Sequence, residues 1–291
     1  MPGSGPSSGQ HQRCQIWAVL NVTPDSFSDG GEAITLDAAL DKAKRLLAEG
    51  ADVIDVGGAS SRPPGKTYGA GAPVVTVDEE LERVVPVVRA LVRLGARVSV
   101  DTTRPEVARA GLAAGASIIN DVSNGASEPL LEAVASASAE LVLMHNRGDG
   151  SQSSYTNVVD EVTAELSAAA VRAACAGVAF KKIWVDPGIG FAKSPSDSLV
   201  MLAAMPRVRS LGYRVLVGPS RKSFIAALER AAGAEESPPN QRLGGTAAAV
   251  TACVLAGVNA VRVHDVKQMR QAVILAEALR AGSGGAGGFA C

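Results

Sequence analysis

One local pattern recurs along this chain and leaves it few folds to adopt. A helical stretch ends in glycine, a few residues form an apolar, β-rich run, and the run closes on a polar residue. It reads Gly50-Ala51-Asp52-Val53-Ile54-Asp55, then Gly95-Ala96-Arg97-Val98-Ser99-Val100-Asp101, then Gly115-Ala116-Ser117-Ile118-Ile119-Asn120, and later copies end at Asp186 and His264. Glycine suits the joint because helices commonly stop on a left-handed residue, where a Cβ would be penalised. Ile16 to Asn21, Glu140 to His145 and Arg214 to Val217 raise the strand count to about eight. The clearest helices run over Leu36 to Glu49, Asp78 to Leu94, Asn157 to Ala176, Ser196 to Leu211 and Val266 to Arg280. Strict alternation implies a parallel sheet covered by helices. We therefore expect an α/β fold, a single (β/α)₈ TIM barrel, with an open doubly wound sheet as the runner-up.

Length agrees with one such domain. Residues 1–14 are Gly/Ser/Pro-rich and lack the apolar run of a signal peptide or membrane span, so they read as a disordered leader. Residues 281–291 are mostly Gly, Ala and Ser and read as a flexible tail. The barrel is then assigned to residues 15–280, close to the ~250 residues usual for its class. Long surface loops are expected over Ser61 to Pro73 and Ala232 to Arg242. A net charge of -1 excludes a broadly basic surface, so nucleic acid and anionic membrane are not expected partners. Cys14, Cys175, Cys253 and Cys291 form neither a CxxC pair nor a disulfide framework, which fits a reducing cytoplasm.

A barrel brings the C-terminal ends of its strands to one mouth. Asn21, Asp101, Asn120, His145, Asp186 and His264 all fall there, and together they predict a concave polar site. In Val185-Asp186-Pro187-Gly188-Ile189-Gly190-Phe191-Ala192-Lys193 a carboxylate ends an apolar strand before a sharp turn. Such a carboxylate can accept paired N–H donors from a guanidine-like edge, as of a pterin, or simply cap its turn. Gly218-Pro219-Ser220-Arg221-Lys222-Ser223-Phe224 opens another helix. Lys222 there is either an anion or ring-carbonyl contact or part of a solvated basic turn. In Val261-Arg262-Val263-His264 strand periodicity puts Arg262 and His264 on one face, looking into the barrel. A buried Arg needs a counter-ion, either a bound diphosphate or a strand carboxylate. His145 and His264 lack further ligands at zinc spacing, whereas magnesium needs only a few oxygens plus substrate phosphates.

Two long motifs, Leu20-Asn21-Val22-Thr23-Pro24-Asp25-Ser26-Phe27-Ser28-Asp29-Gly30-Gly31 and Asp186-Pro187-Gly188-Ile189-Gly190-Phe191, resemble those of the dihydropteroate synthases. Ser220-Arg221-Lys222 and Arg262-Val263-His264 add to the match. The resemblance implies condensation of (7,8-dihydropterin-6-yl)methyl diphosphate with 4-aminobenzoate in folate biosynthesis, by a cytoplasmic homodimer of the sulfonamide-target family. It implies Asp101, Asn120, Asp186 and Lys222 around the pterin, and Ser61, Arg262 and His264 at the diphosphate. It places Phe27, Ser61, Arg62, Pro63, Phe191 and Ser220 around 4-aminobenzoate, with Asn21 on Mg²⁺. Lys222, Asp186 and Arg262 are the residues to which it assigns catalysis, through stabilisation of the leaving diphosphate with no covalent nucleophile. The chain departs from the family pattern where Ala59 and Ser61 replace the usual Glu and Thr, over the longer Lys66 to Pro73 stretch, and in a short loop after His145. Ala59 and the longer loop keep open a pterin-binding paralogue without turnover, and a similar barrel with acidic ring contacts keeps open a pterin domain of a folate-dependent methyltransferase, against which Ser220-Arg221-Lys222 and the Asn21 loop argue.

Overall fold

The computed structural model describes residues 13–23, 35–59, 75–148 and 154–283. Eight strands form the expected barrel: β1 (Gln15–Asn21), β2 (Val53–Gly57), β3 (Val98–Asp101), β4 (Ile118–Asp121), β5 (Glu140–Met144), β6 (Ile183–Asp186), β7 (Arg214–Val217) and β8 (Ala260–Val263). Each runs parallel to its neighbours, and β1 closes the ring by pairing with both β2 and β8. The crossovers hold α1 (Leu36–Glu49), α2 (Val77–Arg93), α3 (Pro105–Ala113), α4 (Glu128–Ser136) and α5 (Val158–Cys175). They continue with α6 (Pro195–Ala203), α7 (Met205–Arg209), α8 (Ser223–Ala231), α9 (Leu243–Leu255) and α10 (Val266–Ser283).

The glycine joints behave as the pattern predicts. Gly50 sits at φ 105°, and its N–H donates to the carbonyls of Leu46 and Leu47, closing the last turn of α1 before β2 begins. Gly95, Gly115, Gly177 and Gly257 also take positive φ, each shortly before a strand.

Strand parity then sorts the side chains. Alternate residues such as Ile16, Ala18, Leu20, Ile54, Val56, Val261 and Val263 join the large core between sheet and helices. The others face a separate interior cluster of Trp17, Val53, Ile118, Val142, Trp184, Leu216 and Ala260. Trp17 and Trp184 meet edge to face, with centroids 5.3 Å apart. Below them Glu140, at the start of β5, accepts from Trp184 Nε1 at 2.5 Å and pairs with Arg97 at 2.6 Å and Arg214 at 3.0 Å. The barrel floor is therefore a charge-paired plug under an apolar layer. Above that layer the inward positions turn polar again.

Three expectations need correction. The helix read over Ser196 to Leu211 is broken between α6 and α7, because Pro206 has no N–H for the backbone ladder and starts a new helix. The leader boundary at residue 14 falls too late: Cys14 is buried and its N–H donates to Glu277 of α10, while Arg13 pairs with Asp52. At the other end α10 continues to Ser283, past the expected start of the tail. The loop over Ala232 to Arg242 is mainly exposed and includes a short 3₁₀ turn, Pro239–Gln241, whereas the loop over Ser61 to Pro73 lies outside the described residues. Among the described residues no helix is long and apolar enough to cross a membrane.

Candidate active site at the barrel mouth

The centre of the mouth is built on Arg262, on the inward face of β8. Its Nε donates to Asp55 Oδ2 at 2.5 Å and its Nη2 to Asp101 Oδ2 at 2.8 Å. Strand carboxylates, one of the two counter-ions the sequence left open, thus pair with it. Asp55 ends one copy of the repeat, yet sequence reasoning did not carry it into the site. It is fully buried and also accepts from Asn120 Nδ2 at 3.2 Å. That bond aims the amide of Asn120 and leaves its Oδ1 buried without a protein partner. Asp101 stands beside Asn120 through β3–β4 pairing. Burial pushes its carboxyl well above the ordinary range, Arg262 opposes the shift, and Asp55, Glu80 and Asp121 add to it.

Asp186 closes β6 on the same side. Its Oδ1 accepts the N–H of Gly188 at 2.7 Å, so it caps the turn as well as facing the mouth. Gly188 is required there twice over: φ is 65°, and a Cβ would sit 2.0 Å from the carbonyl oxygen of His145. Burial pushes Asp186 up to about 6, against the Gly188 N–H and the charges of Lys222, Arg262 and Lys193. Lys222 immediately precedes α8. It is no solvated turn residue, because its ammonium lies 3.8 Å over the ring of Phe191 and burial lowers it to about 8.

Ser220 and His264 interlock beside it. Ser220 Oγ accepts the backbone N–H of His264 at 3.3 Å and lies 3.0 Å from Nδ1. The hydroxyl can donate to Nδ1 or accept from it, so the contact fixes the orientation of the ring. Burial lowers His264 to about 3, so the ring is neutral near pH 7. Arg221, between Ser220 and Lys222, takes φ 61° and is fixed by a two-pronged contact to Asp265 at 3.0 and 2.6 Å. Its guanidinium is thereby committed to shaping the loop.

The structure thus brings Asn21, Asp101, Asn120, Asp186, Phe191, Ser220, Lys222, Arg262 and His264 to one mouth. His145 does not join them: it is fully buried, with one ring nitrogen 2.9 Å from Glu165 and the other 2.9 Å from Lys193. Phe27, Ser61, Arg62 and Pro63 lie outside the described residues. Among the described residues no group of three or more His, Cys, Asp or Glu side chains is placed to hold a metal ion. Asn21 Oδ1 does face a gap over Gly57, where a Cβ would stand 3.5 Å from it and 3.9 Å from Asp101 Oδ2.

The comparisons agree with this geometry. Residues 17–264 match the model of the pterin binding enzyme family. The dihydropteroate synthase of Synechocystis sp. is 41% identical over 274 residues, 92% of this chain and 91% of that protein. A Xanthomonas albilineans dihydropteroate synthase solved with 4-aminobenzoic acid superposes with a TM-score of 0.84 at 42% identity, covering 92% of this chain and 94% of that one. The same organism's enzyme with 7,8-dihydropteroate gives 0.81 at 39% identity, with coverage of 92% and 94%.

Asp55 is the residue on which this arrangement can be checked. Asp55→Ala leaves Arg262 with one carboxylate and the Asn120 amide with none, so folding stability measured in denaturant should fall by about 3 kcal/mol. A loss of less than about 1 kcal/mol would show that Asp101 alone satisfies the guanidinium.

Proposed function

Because this chain belongs to the dihydropteroate synthases of the pterin-binding enzyme family, we propose that it condenses (7,8-dihydropterin-6-yl)methyl diphosphate with 4-aminobenzoate, releasing 7,8-dihydropteroate and diphosphate. It is a transferase of folate biosynthesis. The observation that carries the residue assignments is the mouth itself, where ionisable acceptors on one side face cations and a neutral histidine on the other.

Asp186 accepts paired N–H donors from the pterin's guanidine-like edge, in its charged form. Asn120, with its amide nitrogen held by Asp55, presents Oδ1 to a ring N–H. Asp101 completes the acceptor set, and Lys222 donates to a ring carbonyl. Arg262 and His264 are assigned to the diphosphate, together with Ser61. Phe191 and Ser220 are assigned to the arylamine, together with Phe27, Ser61, Arg62 and Pro63, which lie outside the described residues. As the C–O bond to diphosphate breaks, the electron-rich pterin supports the cationic methylene, and the arylamine nitrogen attacks that carbon and then loses one proton to water or the departing diphosphate. Preorganised donors on the departing oxygens lower the barrier, so no enzyme nucleophile is required.

The charge balance supports a divalent ion. Arg262 is already shared by two carboxylates and His264 is neutral, so these two residues leave much of the diphosphate charge uncompensated. Asn21 fits magnesium, which takes few protein oxygens and keeps waters and phosphate oxygens. When bound, magnesium supplies neutralisation of the leaving group. A homodimer is supported by Ile274, Leu275 and Leu279 of α10, which stay 57%, 61% and 50% exposed. Cytoplasmic placement is supported by Cys14, Cys175 and Cys253, all free thiols.

Purified protein should release diphosphate only with both substrates and Mg²⁺ present, and Lys222→Ala should lower kcat/KM by about 100-fold. Pterin binding without release under saturating arylamine would identify a non-catalytic paralogue, and calorimetric preference for methyl-tetrahydrofolate a methyl-transfer domain. Because burial raises Asp186 to about 6, its charged form is present above that pH and lost below it. Pterin affinity should therefore fall by about tenfold per unit as pH drops below that point. Asp186→Asn should bind weakly with that limb gone, and an unchanged limb would assign the titration elsewhere. In sedimentation equilibrium the protein should have twice the monomer mass, and Leu275→Glu should shift it to monomer; a monomeric wild type would remove the dimer.

A further inference from the structure

The turn between Asp186 and Phe191 serves both substrates, yet within it only two hydrogen bonds fix its shape: Gly188 N–H to the Asp186 carboxylate, and Phe191 N–H to the Gly188 carbonyl. Lys193 holds it from behind. Its Nζ donates to the carbonyl of Gly188 at 3.2 Å and of Phe191 at 3.1 Å, and lies 2.9 Å from His145 Nδ1. An ammonium has three protons and accepts none, so Nδ1 is the acceptor and the imidazole proton sits on Nε2. Nε2 then donates to Glu165 Oε2 at 2.9 Å. Glu165 in turn is gripped by Arg147 through Nε at 3.0 Å and through Nη2. Every donor in this chain has an acceptor of the right polarity. It runs from a helix on the outside of the barrel to the two carbonyls that flank the turn.

We propose that Lys193 is a positioning residue that fixes the Asp186–Phe191 turn for both substrates, with His145, Glu165 and Arg147 fixing Lys193. This rests on the synthase reading above. At one end of the turn the Gly188 N–H orients the pterin-binding carboxylate. At the other, Phe191 lies under Lys222 and borders the arylamine pocket. A single ammonium therefore couples the two subsites without touching either substrate. Burial lowers Lys193 to about 7, while the charges of Asp186 and Glu165 favour its protonated form, so the brace and the carboxylate it positions support each other.

Lys193→Met keeps the volume and removes the donors. It should raise the calorimetric Kd for the dihydropterin and the KM for 4-aminobenzoate by about tenfold each, because small misplacements of binding groups are expensive, while the melting temperature stays close to wild type. Lys193→Cys alkylated with 2-bromoethylamine rebuilds an ammonium of nearly lysine length and should recover most of both constants. Wild type treated in parallel controls for the exposed Cys175. Wild-type constants in Lys193→Met, or a folded Lys193→Cys that does not recover on aminoethylation, would overturn the proposal. If wild type itself makes no product the synthase reading fails, and the pterin Kd still decides the role of Lys193.

Discussion

The mouth of this barrel depends on Arg262, buried between Asp55 and Asp101. Taking three charges out of water is costly, and their mutual attraction offsets that cost only with good geometry and no stray polar atoms. The geometry comes from the barrel. β2, β3 and β8 each present an inward residue within reach of the other two, and the closed ring fixes their separation. The partners lie 207 and 161 residues away in the chain, so only closure brings them together. The strand carboxylates thus hold the guanidinium in place at the barrel mouth.

That arrangement requires insulation from below. A polar network at one end of an eight-stranded barrel and another at its mouth would be poorly separated if the middle admitted water. Trp17 and Trp184, packed edge to face among Val53, Ile118, Val142 and Leu216, fill the section between them. Their indole N–H groups are both satisfied downward, by Gln15 and Glu140, so neither perturbs the mouth. The low-dielectric layer has a second consequence. It contributes to the burial that raises Asp186 and lowers Lys222 and His264, moving acids and bases toward neutral forms that a charged ligand can reset.

Much of this was legible in the sequence because two periodicities carried it. Glycine joints located the strands, and the period of two along Val261-Arg262-Val263-His264 put the arginine and histidine inside. Asp55 sits in the same repeat but ends no recognisable motif. Its importance comes from two partners on other strands, a relation no local window contains. His145 shows the reverse error: its strand-end position suggested the pocket, but it is out of phase with the inward-facing Val142, so the ring meets Glu165 and Lys193 instead. The split of the expected helix at Pro206 was a local signal outweighed by favourable residues on both sides.

The strand-end residues divide by what the protein already asks of them. Those whose side chains are committed to partners within the fold, such as His145 and the Arg221–Asp265 pair, shape the site and are poor candidates for touching substrate. Those with a buried polar atom left unpaired, Asn120 through Oδ1 and Asp55 through its own Oδ1, are where a ligand gains most, since the protein has met the cost of desolvating them and left a partner wanting. By this criterion the proposed pterin contacts Asp101 and Asn120 fall on paired strand ends that the closed barrel fixes. The proposed arylamine contacts divide differently: Phe191 and Ser220 lie beside Lys222 and His264, whereas Phe27, Ser61, Arg62 and Pro63 lie outside the described residues. On the proposed function, recognition of the first substrate is therefore a property of the strand ends themselves.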